Sequence, residues 1–164
     1  MPLPIAGGGG GPTRPPTHTP LDMRRLMSIA TQLDDELELL GKTELTPEVV
    51  EELAGEIGAS AVQIYAAAAL MCEIPCDASD PVRFELCIGS CQQWGAAELL
   101  AHLLKRHAQR RDDDAPRFGI VAKRCLDKCE RAAVVLAHSP DGTASFAQAK
   151  PEQLDEAIAT LLDG

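Results

Sequence analysis

The cysteines occur in two pairs of equal spacing, and these pairs are the residues best suited to carry chemistry. Cys87 and Cys91 lie in "FELCIGSCQQWG", and Cys125 and Cys129 lie in "RCLDKCERA", with three residues between the members of each pair. Four such thiols can form disulfides, bind zinc, act as a redox dithiol or hold an iron–sulfur cluster. The chemistry therefore depends on whether the fold brings the two pairs together.

Composition and charge restrict the class of protein. The chain has 164 residues, of which 45% are hydrophobic and only 3% aromatic, and its formal net charge is −10. This length fits one domain, or one small domain with a helical appendage. The acidic charge argues against nucleic acid as a partner, because phosphates are bound by basic surfaces. No apolar run approaches the ~20 residues of a membrane span, so we expect no direct membrane insertion.

The first part of the chain has the composition of a disordered tail. Residues 1–20 contain six prolines and five consecutive glycines. They lack the basic start and unbroken apolar stretch of a secretory signal, so we expect a cytoplasmic protein. Structural disulfides rarely persist in a reducing cytosol, which disfavours a disulfide framework.

The segment before the first cysteine pair has the pattern of three short helices. Apolar residues recur every three or four positions over residues 23–40. Thr46 followed by Pro47 is typical of a second helix start, and Ser60 with Gln63 forms the capping box of a third. These helices predict a small bundle.

The pattern after residue 80 predicts an α/β unit with the element order β-α-β-β-β-α. The sequence places these elements at residues 82–86, 95–108, 118–122, 133–138, 143–147 and 151–162. In the first strand, Phe84 and Leu86 alternate with polar residues such as Glu85, which indicates one buried face. Asp-Gly in the turn "SPDG" favours a hairpin between the third and fourth strands.

The topology predicts that the two cysteine pairs meet. Two strands joined by a helix normally lie parallel with a right-handed crossover, so they end at the same edge of the sheet. Each pair directly follows one of these strands, and together they supply four thiols. Zinc sites and redox dithiols usually have two residues between cysteines, whereas a [2Fe–2S] cluster has a wider footprint. The spacing favours the cluster but leaves zinc and disulfides open.

The chain resembles the thioredoxin-like [2Fe–2S] ferredoxin subunits of NADH dehydrogenases, the enzymes also called complex I. Related small subunits occur in NAD-linked hydrogenases and formate dehydrogenases. The resemblance runs from about residue 22 to the end, through "LTPEVVEELAGEIGASAVQIYAAA", "CIGSCQQWGAAELLAHL" and "CLDKCERAAVVL". It implies a three-helix bundle at 21–72 and a thioredoxin-like ferredoxin domain at 80–164, after the disordered tail that the composition predicts at 1–20.

The resemblance also implies a function. One [2Fe–2S] cluster would be held by the cysteines of the two pairs, namely Cys87, Cys91, Cys125 and Cys129. The chain would pass electrons within an NAD(P)H-linked oxidoreductase complex whose partner subunit binds FMN and NAD(H), and it would have no catalytic site of its own. The first loop has three residues between its cysteines where the family usually has four. That difference favours the alternative, a cluster-free or zinc- or disulfide-stabilised structural subunit that keeps the fold as an assembly surface.

Other residues with metal-binding side chains are expected to be outside the site. Cys72 and Cys76 share the spacing, but they precede the first strand, where the family has no ligands. His102 and His107 lie on the helix after the first pair, and we interpret them as surface residues.

Basic side chains surround the second pair in an otherwise acidic chain. They are Lys123, Arg124, Lys128 and Arg131. They would either offset the charge of a four-thiolate cluster or simply belong to a solvated loop.

Overall fold

The computed structural model describes residues 15–164, except for the side chain of Cys129, so most of the expected tail lies outside the described residues. The helices are α1 (Met23–Leu40), α2 (Pro47–Ile57), α3 (Ala61–Ala67), α4 (Ala96–Asp112) and α5 (Pro151–Ile158). The strands are β1 (Arg83–Cys87), β2 (Gly119–Lys123), β3 (Val135–Ser139) and β4 (Gly142–Phe146). Turns of π-helix, Ala68–Cys72 and Ala159–Asp163, extend α3 and α5.

The first three helices begin and end at the residues that the sequence indicates. Gly41 follows α1 with a φ of 68°, a left-handed conformation that glycine adopts without a steric penalty. Thr46 Oγ1 accepts a hydrogen bond of 3.1 Å from the Val49 N–H at the start of α2. Ser60 and Gln63 form the expected reciprocal capping box at the start of α3. Local sequence signals therefore determine these helix ends.

The fourth helix is longer than the sequence indicates. We expected a loop from residue 109, but α4 continues to Asp112. Its last turn contains Arg110 and Arg111, and positive charge stabilises the C-terminal end of a helix. Arg110 also pairs with Asp163 (Nη2–Oδ1, 2.7 Å), an acidic residue far along the chain. A local sequence pattern cannot predict this ion pair, because Asp163 is 53 positions away from Arg110.

The four strands form one mixed sheet in the order β2-β1-β3-β4. The strand β1 is parallel to β2 and antiparallel to β3, and β3 and β4 form the expected hairpin. The predicted β-α-β-β-β-α order is thus confirmed as a mixed α/β arrangement. Because Cys87 pairs with Lys123 at the ends of the two parallel strands, both cysteine loops leave the sheet at one edge.

The central strand is buried on both faces, contrary to the alternation in its sequence. Phe84 is fully buried, and Glu85, which points to the opposite face, is only 8% exposed. Glu85 is paired with Lys123 (Oε1–Nζ, 2.9 Å) of β2 and with His138 (Oε2–Nε2, 3.0 Å) of β3. The expectation of one exposed face was wrong at Glu85, because both neighbouring strands supply charge-assisted partners to the carboxylate.

Within the described residues, no single helix is both long and apolar enough to cross a membrane. The segments Pro47–Ile57 and Ala61–Cys72 reach that length and composition only when taken together, and they are bent by 100°.

His107 is buried, which corrects the prediction that it lies on the helix surface. The residue is 4% exposed, and its ring packs edge-on against Phe118, with ring centroids 5.6 Å apart. His107 Nε2 lies 3.6 Å from Glu48 Oε1, so this residue joins α4 to α2. Burial lowers the pKa of His107, and the nearby Glu48 carboxylate only partly opposes this effect. By contrast, His102 Nε2 pairs with Asp155 Oδ1 at 2.8 Å.

This burial predicts a loss of stability in mild acid. The pKa of His107 is lower in the folded protein than its ordinary value of 6.5. At pH values between these two, His107 binds more protons in the unfolded chain than in the folded one. The free energy of unfolding should therefore decrease as the pH falls below 6.5 and through the lowered pKa. NMR titration should give His107 a pKa below 6.5. Urea unfolding of His107→Gln should lose this part of the pH dependence, and a His107 pKa at or above the ordinary value would contradict the prediction.

Candidate metal centre

The first cysteine loop begins where β1 ends. Cys87 is the last residue of β1, and Cys91 lies in the turn of 3₁₀-helix Ser90–Trp94. The N–H of Gln92 donates to the Gly89 carbonyl oxygen at 3.1 Å, which closes the loop. Both cysteines are only 2% exposed, and the Cys91 thiol is hydrogen-bonded to the Cys87 sulfur. The structure thus brings this pair together.

The second cysteine loop contacts the first across the sheet edge. The N–H of Ile88 donates to the Lys123 carbonyl oxygen at 2.8 Å. One residue further on, the Cys87 thiol donates to the Arg124 carbonyl oxygen at 3.1 Å. The Leu126 N–H is hydrogen-bonded to the same sulfur. Backbone groups on both sides of Cys125 therefore reach Cys87.

The hydrogen bonds that the Cys87 sulfur accepts favour its ionised form, whereas the bond to Arg124 requires the protonated thiol. The pKa of Cys87 is lowered to about 6, and the hydrogen bond from the Cys91 thiol is the largest cause, although burial acts in the opposite direction. The backbone N–H groups of Gly89, Cys91 and Leu126 contribute to the same lowering. Because metals bind the thiolate rather than the thiol, this environment prepares Cys87 as a ligand near neutral pH.

The second pair is more open than the first. Cys125 is exposed, and its sulfur accepts a hydrogen bond of 3.3 Å from the Asp127 N–H. Cys129 begins the turn of 3₁₀-helix Cys129–Arg131, and its side chain lies outside the described part of the structure. Among the described side chains, no three His, Cys, Asp or Glu residues are arranged to hold a metal ion. The structure therefore brings the loops together without assembling a complete ligand set.

The donor chemistry fits a [2Fe–2S] cluster. Such a cluster takes four thiolates, two for each iron, and the two loops carry two cysteines each. The buried Cys87–Cys91 pair supplies one half, and the loop in contact with it carries Cys125 and Cys129. The two loops therefore carry between them the number and type of ligands that such a cluster requires.

Cys72 and Cys76 have different surroundings. The thiol of Cys72 is 3.7 Å from the Ala30 carbonyl oxygen, and that of Cys76 is 3.9 Å from the Ala122 carbonyl oxygen. Burial raises the pKa of both cysteines, which disfavours the metal-binding thiolate. Cys76 nevertheless lines a cavity of about 510 Å³ together with Cys125. That neither is a ligand stays a prediction.

The basic residues near the second pair fall into two groups. The side chain of Lys123 is itself exposed, but it is paired with Glu85. The other three are exposed and take part in no salt bridge with the residues that the structure describes, namely Arg124, Lys128 and Arg131. The positive charge available near the site thus comes from the loop itself.

Gly89 is a site residue that the sequence reasoning missed. A Cβ atom at this position would collide with the backbone carbonyl oxygen of Arg124. The absence of a side chain therefore lets the two loops approach each other. Its position between Cys87 and Cys91 is the only signal for this role in the sequence.

Comparisons with known proteins give structural similarities only. No protein-family model matches the chain, and none of the curated proteins searched matches it. The chain is similar to the crystal structure of the wild-type thioredoxin-like [2Fe–2S] ferredoxin from Aquifex aeolicus, with 23% identity and a TM-score of 0.41 over 52% of this chain and 89% of that one. A cysteine-to-serine variant of the same ferredoxin gives 22% identity and a TM-score of 0.41 over 48% and 84%. These likenesses are too distant to assign a function.

The close approach at Gly89 predicts a steric effect of a single methyl group. Gly89→Ala should push the two loops apart and lower the free energy of unfolding by about 1–3 kcal/mol, as overpacking does elsewhere. Gly55→Ala is a matched control, because Gly55 lies in α2 with open space around it. The control should raise stability by about 0.5–1 kcal/mol through helix propensity. Urea unfolding of both variants checks this, and wild-type stability of Gly89→Ala would contradict it.

Proposed function

We propose that this protein is a one-electron carrier that holds one [2Fe–2S] cluster through Cys87, Cys91, Cys125 and Cys129. The observation that carries the proposal is the contact between the two loops, in which the Ile88 N–H, next to Cys87, donates to the Lys123 carbonyl oxygen at 2.8 Å. This contact joins two cysteine pairs that are far apart in sequence. When bound, the cluster would accept and release one electron.

The residues around Cys87 would tune such a centre. Backbone N–H groups of Gly89, Cys91 and Leu126 are directed at the Cys87 sulfur. Hydrogen bonds to a ligand sulfur stabilise negative charge and thereby raise the reduction potential. The burial of the first pair excludes water from one side of the site. The exposed Cys125 marks the side at which electrons would be exchanged.

We further propose that the chain works as a subunit of an NAD(P)H-linked, flavin-containing oxidoreductase complex in the cytoplasm, with FMN and NAD(H) on the partner subunit. The support is the resemblance of residues 22–164 to the small subunits of such complexes. The exposed Arg124, Lys128 and Arg131 also give this acidic chain a local surface of opposite sign beside Cys125. The separation into a three-helix bundle at 21–72 and a ferredoxin domain at 80–164 belongs to the same proposal.

A second candidate function is a structural subunit without a cluster, stabilised by zinc or disulfides or by neither. The observation that favours it is that no three described His, Cys, Asp or Glu side chains are arranged to hold a metal ion, while Cys125 is exposed and its sulfur accepts a hydrogen bond from the Asp127 N–H. Metal analysis separates the two functions.

The electron-carrier function predicts a defined metal content. Anaerobically purified protein should contain about two irons and two sulfides per chain and give an EPR signal only after dithionite reduction. Cys87→Ser and Cys125→Ser should lose most of the iron, because each removes one thiolate ligand. Cys72→Ser is the matched control and should retain it. Zinc, or no metal after anaerobic reconstitution, would favour the structural function instead.

The complex proposal predicts how the cluster is reduced. NADH should not reduce the isolated chain, since the described residues and the resemblance give it no nicotinamide site of its own. An affinity-tagged chain isolated with its natural partner should carry FMN through gel filtration, and NADH should then bleach the visible absorption of the cluster. A loaded chain that NADH reduces without any flavoprotein would contradict this prediction.

A further inference from the structure

The residues before α1 lie along the first cysteine loop. We call residues 15–21 the N-terminal strap. The N–H groups of Thr17 and His18 both donate to the Gln93 carbonyl oxygen, each at 3.0 Å. The His18 ring is so close to Gly95 that a Cβ atom there would lie 3.3 Å from the imidazole Cε1. The strap is therefore bound to the turn that contains Cys91, although it is distant in sequence.

Gln92 links the strap to the loop through its buried side chain. Gln92 is only 6% exposed, and both the oxygen and the nitrogen of its side-chain amide form hydrogen bonds. Its Oε1 accepts a hydrogen bond of 2.5 Å from the Leu21 N–H, and its Nε2 donates to the Ile88 carbonyl oxygen at 3.1 Å. A buried amide with both groups satisfied restricts the side chain to one arrangement.

The position of this bond relates it to the cysteines. Ile88 directly follows Cys87, and Gln92 directly follows Cys91. A hydrogen bond between the residues that follow the two cysteines restrains the separation of the cysteine backbones. This restraint does not depend on the hydrogen bond between the Cys91 thiol and the Cys87 sulfur.

The strap, the first loop and the second loop also border one cleft. Its volume is about 540 Å³, and its lining includes Pro20, Gln92, Arg124 and Cys125. In the second loop, the Asp127 N–H donates to the Cys125 sulfur at 3.3 Å. The contact with the strap is thus a restraint on the first loop in particular.

We propose that Gln92 is a positioning residue, which acts with the N-terminal strap to hold Cys87 and Cys91 in the ligating arrangement before a cluster binds. The proposal rests on the proposed electron-carrier function. It makes residues 15–21 part of the metal centre, where composition alone suggested a tail.

The test replaces Gln92 with a side chain of similar size that cannot form either bond. Gln92→Met removes both hydrogen bonds, and Gln92→Glu keeps the acceptor for the Leu21 N–H but loses the donor to Ile88. Gln93→Met is the matched control, since only the backbone carbonyl oxygen of Gln93 is used by the strap. All variants are made in the full chain and compared with wild type.

Two readouts separate the positioning role from general stability. In metal-free protein, hydrogen exchange of the amides of residues 88–92 should be about tenfold faster in Gln92→Met, while exchange in α4 stays unchanged. In cluster-loaded protein, Gln92→Met should release iron to a chelator about tenfold faster and shift the EPR g values. Gln92→Glu should be at least as disturbed as Gln92→Met, because its buried carboxylate would face the Ile88 carbonyl oxygen, and Gln93→Met should match wild type.

The outcomes distinguish failure of this inference from failure of the proposed function. If wild-type protein holds a cluster but Gln92→Met matches it in exchange, iron release and EPR, Gln92 does not position the ligands. If exchange changes uniformly across the chain, Gln92 contributes only to general stability, and the inference is again overturned. If wild-type protein binds no cluster at all, the electron-carrier function itself fails.

Discussion

The parallel pairing of β1 and β2 is the constraint on which the candidate site depends. It places Cys87 opposite Lys123, and the residues that follow each of them form the two cysteine loops. A slip of one residue in this register would turn every side chain of one strand to the other face. Glu85 makes such a slip costly, because its buried carboxylate would lose Lys123 and His138. The ion pairs of Glu85 with its neighbouring strands thereby stabilise the register that places the two cysteine loops at one edge of the sheet.

The two loops reach the site in unequal states of order. Cys87 and Cys91 are buried, joined by a hydrogen bond between their side chains, and surrounded by backbone donors, whereas Cys125 is exposed. A half-formed site of this kind requires less rearrangement on metal binding than two mobile pairs would. The first loop is already ordered by its contacts with the strap and with Arg124, so less conformational entropy would be lost there when a metal binds.

Sequence reasoning was most successful where local patterns decide the outcome. Helix caps such as Thr46 and Ser60, the Asp-Gly turn and the strand–helix–strand order all follow from interactions between near neighbours, and the structure contains them. The convergence of the two cysteine loops on one sheet edge also followed from the handedness of the crossover. The ligand roles of the four cysteines stay a prediction.

The errors occurred where distant partners decide the outcome. Glu85 looked like an exposed strand residue because Lys123 and His138 come from other strands. His107 looked like a surface residue because its cover, Phe118, lies on the next strand segment. The contact between the strap and Gln92 spans 71 positions, and the composition of the first residues gave no sign of it. Each of these features needs the tertiary fold, which a periodic pattern does not encode.

The difference in burial between the two cysteine loops limits where an electron donor or acceptor could approach the proposed cluster. With Cys87 and Cys91 sealed and Cys125 open to solvent, the described part of the site has one accessible side. A redox centre with one solvent-accessible side cannot contact a donor at one surface of the protein and an acceptor at the opposite surface. In the proposed electron carrier, donor and acceptor would therefore occupy the same face in turn, and their reduction potentials would set the direction of electron flow.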